Sequence, residues 1–171
     1  AIQVERSSDN SYQDIGFDSN GDLDESALTT FCTGTTCKVR TWYGQEASGG
    51  TGSGNDAQQT DHTKQPTIYT GGAIVKENGR VAVDFDGTDD SFNTSWSAGD
   101  TSAFTAFNIA SPTNNTTASQ LYDLRDANDD GLRLIMFSDS NLFYSASASD
   151  LRTTAYVSGQ QLVYSNYASS T

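Results

Sequence analysis

The stretch AIVKENGRVAVDF, residues 73–85, alternates apolar and polar side chains on both sides of Asn78-Gly79. Alternation with a period of two lays one face of an extended strand on a core, and an Asn-Gly pair supplies the two positive-φ positions of a tight hairpin turn. Similar short runs recur in AIQVERS (1–7), KVRTWYG (38–44), SFNTSW (91–96), AFTAFNIAS (103–111), SQLYDLRD (119–126), GLRLIMFSD (131–139), NLFYSASA (141–148) and TAYVSGQQLVYSNY (154–167). Strand-length runs about ten residues apart, parted by Gly, Asn, Asp and Ser, predict two packed antiparallel sheets. One segment departs from this pattern. In DESALTTF, residues 24–31, Asp24 can cap a helix, Glu25 suits its positive end, and Ala27, Leu28 and Phe31 share a face. About two turns long, this helix must be held by packing.

With 171 residues the chain is long enough for one domain, spanning 1–171, with a core of its own. Only 35% of its residues are hydrophobic while 11% are aromatic, a balance that favours an all-β sandwich with polar loops. No tandem repeat suggests a solenoid or propeller. The alternation already under way at Ala1, and an end at Thr171 without a closing element, lead us to expect a portion of a longer chain.

Nine basic residues against 22 acidic ones give a net charge of −13, which repels a phosphate backbone and anionic lipid alike. Nucleic acid is therefore excluded as an expected partner. No run reaches the roughly 20 apolar residues of a membrane span, so insertion into a membrane is not expected either. The acidic residues are dispersed, the pattern of a solvated surface that resists association.

Both cysteines fall in FCTGTTC, residues 31–37. A zinc site would want two more thiols or histidines, yet the chain has no third Cys and one His. A Cys32–Cys37 disulfide closing a short loop fits better, worth about 2 kcal/mol by loop entropy. It would place the protein outside a reducing cytosol.

Four segments in order, RSSDNSYQDIGF (6–17), FCTGTTCKVRTWYGQ (31–45), GSGNDAQQT (52–60) and ENGRVAVDFDGTDD (77–90), resemble the catalytic domain of fungal and bacterial alpha-L-arabinofuranosidase B. The resemblance implies a concanavalin A-like (laminin G-like) jelly-roll sandwich, and similar modules occur in phage structural proteins. Where the family carries a compact Asp-Gln-Ser-Gly, this chain reads Gly44-Gln45-Glu46-Ala47-Ser48, with Gly49 to Ser53 inserted before Gly54-Asn55-Asp56. Retaining glycosidases need two carboxyls about 5 to 5.5 Å apart. The family's nucleophile is a Glu in a segment like F-D-Y-G-N-A-E, which best matches YDLRDAN, residues 122–128, and the matching position is Asn128. An amide cannot form the glycosyl ester. Asp126, Asp129 and Asp130 are the weak candidates to replace it in a shifted alignment.

Other constellations are less specific. Asp18-Ser-Asn20-Gly-Asp22 and Asp126-Ala-Asn128-Asp-Asp130 open like calcium loops, but Thr29 and Phe137 stand where a bidentate Glu belongs. Calcium is the one cofactor these runs admit, and none is required. His62, beside Asp61 with no nucleophile elbow nearby, is expected on a solvent-exposed loop. Trp42, Tyr43, Trp96, Tyr144, Tyr156, Tyr164 and Tyr167 divide between core and surface, and sugar-binding faces stack aromatic rings on pyranose or furanose rings. Trp42, Tyr43, Trp96, Asn55 and Asp56 are accordingly the glycan-binding candidates. Asn93, Asn114 and Asn115 match the N-glycosylation pattern, relevant only in a eukaryotic secretory host.

Taken together, these readings lead to an expectation of a non-catalytic virion-surface or extracellular module, of the capsid-decoration, fibre or adhesion type. Its expected partners are other virion or extracellular subunits in an oligomeric assembly, and host or environmental polysaccharide. The alternative is an arabinofuranosidase-like retaining glycoside hydrolase.

Overall fold

The N-terminal alternation forms β1 (Ile2–Arg6), which pairs antiparallel with β2 (Tyr12–Ile15), Ile2 opposite Ile15 and Glu5 opposite Tyr12. These coordinates are a computed structural model, which describes residues 1–45, 56–94, 103–111, 119–125, 131–136, 141–146, 149–155 and 162–169. The turn-rich segment after β2 leads into α1 (Glu25–Cys32), where the Asp24 side chain accepts the Ala27 N–H at 2.9 Å, the cap that the sequence predicts. Leu28 and Cys32 are its buried residues.

β3 (Cys37–Trp42) is the central strand: it pairs with β1 along its length, and with β4 (Ala57–Gln58) and β5 (Thr67–Thr70) at its two ends. The chain continues through β6 (Ala73–Ile74), which pairs with β5, to β7 (Lys76–Glu77) and β8 (Arg80–Val81), joined at the predicted Asn-Gly turn. Asn78 and Gly79 have φ of 48° and 79°, the two left-handed positions such a turn requires. β9 (Asn93–Thr94) pairs with β4, giving the path β2-β1-β3-β4-β9.

The buried apolar residues are Ile2, Val4, Ile15, Leu28, Cys32, Cys37, Val39, Ile68 and Tyr69. Strand β1 is covered on its opposite face as well. The β1–β3 register shifts between Gln3 and Val4, leaving Arg40 of β3 between the paired Val39 and Thr41, and Val4 and the adjacent Glu5, which alternate to opposite faces, are both buried.

By its contacts the chain divides into two units, Ala1–Ser95 and Trp96–Thr171. In the second, β10 (Ala103–Ala110) pairs antiparallel with β15 (Leu162–Ser169). Between them in sequence, β11 (Ser119–Arg125), β12 (Gly131–Met136), β13 (Asn141–Ala146) and β14 (Ser149–Ala155) form a four-stranded antiparallel meander. The run expected as one strand over 154–167 falls instead on the end of β14 and the start of β15. The described residues are thus mostly antiparallel strand with one α-helix, an all-β class. No helix among them is long and apolar enough to cross a membrane.

Candidate functional site

Two groups of side chains stand out in the first unit. The first lies at the C-terminal end of β3. Trp42, at the end of that strand, is 50% exposed and meets the edge of Phe92 at 6.5 Å between ring centres. Phe92 in turn meets Phe85, also exposed, at 5.7 Å. Tyr43 is half-buried and its hydroxyl donates to Asp14 Oδ1 at 2.8 Å, while Gln3 Nε2 donates to that same carboxylate oxygen at 2.9 Å. Burial, then the hydrogen bond to Asp14 and the charges of Asp14 and Asp56, push the Tyr43 hydroxyl up to about 12. Asp56 Oδ1 accepts the Gly44 N–H at 2.8 Å, and Ala57 follows it opposite Trp42. Of the five glycan-binding candidates Tyr43 and Asp56 thus share one electrostatic neighbourhood, while Trp42 packs separately on Phe92. Asn55 and Trp96 lie outside the described residues.

A second group has no counterpart in the sequence reading. Glu5, only 6% exposed, accepts Arg40 Nη1 at 2.9 Å and Gln65 Nε2 at 3.0 Å on one oxygen. Its other oxygen faces His62 Nδ1 at 3.2 Å, off the line of a full hydrogen bond. His62 Nε2 lies 3.1 Å from Ser7 Oγ. The imidazole expected in open solvent is thus half-buried, because Asp61 caps the short 3-10 turn His62–Lys64 and lays it over the polar face of β1 and β3. Gln65 also donates to the Gln59 carbonyl at 2.9 Å, pinning the segment under this turn. Burial alone would raise the Glu5 carboxyl, but the hydrogen bonds from Gln65 and Arg40 and the charges of His62 and Arg40 outweigh it and hold it below the usual range.

The remaining candidates are more local. Asp18 Oδ1 accepts the N–H groups of Asn20 and Asp22, at 2.8 and 3.0 Å, and Asn20 Nδ2 donates to its other oxygen. Asp22 lies 3.7 Å from Arg80 Nη1. These contacts describe a turn stabilised by its own first carboxylate. Asp86, Asp89 and Asp90 bring ligand atoms within 4.8 Å of one another and could gather around a cation, but Asp86 Oδ1 is also the acceptor for the turn amide of Thr88 at 2.7 Å. Burial, with the Asp86 and Asp89 charges adding to it, raises the Asp90 carboxyl. Asp126, Asn128, Asp129 and Asp130 lie outside the described residues, between β11 and β12. Cys32 and Cys37 form the predicted disulfide, fully buried between α1 and β3.

Comparison with known families adds one finding. Residues 1–90 match the family model described as alpha-L-arabinofuranosidase B, catalytic, which covers more than half of the 171 residues. The matched span holds the disulfide, the Trp42 end of β3 and the Glu5 group, and stops before the 122–128 segment. No curated protein and no solved structure matches the chain.

Proposed function

Because the chain belongs to the alpha-L-arabinofuranosidase B catalytic-domain family, we propose that it is an extracellular carbohydrate-directed module that keeps the family's scaffold without its glycosidic chemistry. The observation that carries this reading is the pairing of the family match over 1–90 with an amide, Asn128, in the segment that resembles the nucleophile-bearing one. The buried disulfide supports a setting outside a reducing cytosol. We assign the whole chain a concanavalin A-like jelly-roll sandwich, as strand spacing and family resemblance both suggest. Its role would be structural or adhesive, in an assembly with further extracellular subunits, of which a virion surface is one setting. The reading needs no cofactor.

The sugar-binding part rests on Trp42. A half-exposed indole braced edge-on by Phe92 is the kind of ring on which a sugar stacks. Affinity electrophoresis through arabinan, with dextran as control, tests it. Retardation in arabinan is expected for the native chain, and Trp42→Ala should weaken it about tenfold, the equivalent of a stacking contribution near 1.4 kcal/mol. Equal mobility of both proteins in the two gels would count against it.

The family match itself favours a second reading, a retaining arabinofuranoside hydrolase. It would require Asp126, Asp129 or Asp130 to stand in for the missing nucleophile, about 5 to 5.5 Å from a second carboxyl that acts as the acid.

A further inference from the structure

We propose that Ser7 is an activated nucleophile, served by His62 as general base and by Glu5 as the positioning carboxylate, and that this Ser-His-Glu group accepts acyl esters. The geometry carries the proposal. Glu5 lies in β1 and Ser7 two residues on, at the start of the turn that follows the strand. His62 comes from the segment following β4 and bridges them, Nε2 3.1 Å from Ser7 Oγ and Nδ1 3.2 Å from Glu5 Oε1. With the proton on Nδ1 facing the carboxylate, Nε2 presents its lone pair to the hydroxyl, the orientation that a base needs. Glu5 cannot swing away, because Arg40 and Gln65 both hold its other oxygen. An off-line contact between His62 and Glu5 in the free protein is usual for groups that tighten only around substrate.

The turn also offers donors for a developing oxyanion. Ser7 gives its N–H to the Thr36 carbonyl and Asn10 gives its own to Arg6, both at 2.9 Å. The N–H groups of Ser8 and Asp9, between them, donate to no acceptor among the described residues. The amide next after a nucleophile is the one that oxyanion holes commonly use. Ser7 is exposed, so a small acyl group and, later, water can both reach it.

In the step this implies, Ser7 Oγ bonds to the ester carbonyl carbon while its proton passes to His62 Nε2. The bond from that carbon to the alkoxy oxygen breaks, and the alcohol leaves with the proton. Water then adds to the acyl-serine, gives its proton to Nε2, and the serine oxygen departs and takes it back. No oxidant, metal or further reactant is involved. This chemistry shares no residue with the glycan reading above, so either can fail alone.

The test is site-resolved labelling with a fluorophosphonate, which phosphonylates an activated serine with loss of fluoride, alongside hydrolysis of p-nitrophenyl acetate. Peptide mapping should place the label on Ser7 ahead of Ser8 and Ser11. Ser7→Ala should remove it. His62→Ala should slow labelling about 100-fold, the usual scale of a general base, with partial recovery in free imidazole. Glu5→Gln, compared at a temperature where its melting curve shows it folded, should slow labelling about tenfold. Labelling of Ser7 at the rate of its neighbours, or at a rate indifferent to His62 and to imidazole, overturns the proposal.

Discussion

At the scale of single residues, Glu5 is the position where the sequence said least and the structure says most. A Glu in an alternating strand reads as a solvent-facing residue, and Val4-Glu5 gives no periodic hint that both are buried. The cause is a polar segment, Gln59 to Gln65, that covers the second face of the strand, with His62 and Gln65 meeting the Glu5 carboxylate. Contacts between polar residues far apart in sequence, such as Ser7 with His62, leave no trace in local pattern. Asp24 and the Asn78-Gly79 pair are the opposite case, since a cap and a turn are specified by neighbours only. Glu5 yields a prediction with a definite sign. Its carboxyl is lowered from 4.5 in the folded chain, so its contribution to stability is complete above the unfolded value and is lost as pH falls through the folded one. Urea unfolding at a series of pH values should therefore show stability falling below about pH 4.5. In Glu5→Gln the fall should be shallower, with about 2 kcal/mol already lost at neutral pH. Parallel pH curves for the two proteins would show that Glu5 is not coupled to the fold.

At the scale of elements, the helix and its disulfide act as one unit. α1 is eight residues long, too short to persist alone, and Cys32 at its end is tied to Cys37 at the start of the central strand. Both sulfurs lie in the apolar core with Leu28 and Val39. The two spacings were legible, helix period in 24–31 and short-loop closure in 31–37, because each is a local matter. Where strands would break was less so: the run 73–77 reads as one strand, yet Val75 donates to Ile68 and parts β6 from β7. Replacing both cysteines by serine should cost about 2 kcal/mol of loop entropy plus the burial of two hydroxyls, a fall in melting temperature of about 4 °C or more for a unit of this size. A melt that does not change on reduction or in the double variant would contradict that role.

At the scale of the whole molecule, the class was readable and the activity only partly so. Recurrent period-two runs with Gly and Asn punctuation specify antiparallel strands whichever way they are assembled, and the described residues follow. The four motifs that resemble arabinofuranosidase B all fall at or before residue 90, the span that the family match covers. Chemistry is another matter, because it depends on which carboxylates a fold brings face to face, and strand periodicity carries no information on that. Our central claim is that the family scaffold persists here while the bond-breaking carboxylate has become Asn128. Its most direct test is release of p-nitrophenol from p-nitrophenyl α-L-arabinofuranoside by the purified chain. The account predicts no release above the buffer rate, and no gain or loss in Asp126→Asn, Asp129→Asn or Asp130→Asn. Steady turnover that one of those three substitutions abolishes would contradict it and establish a hydrolase.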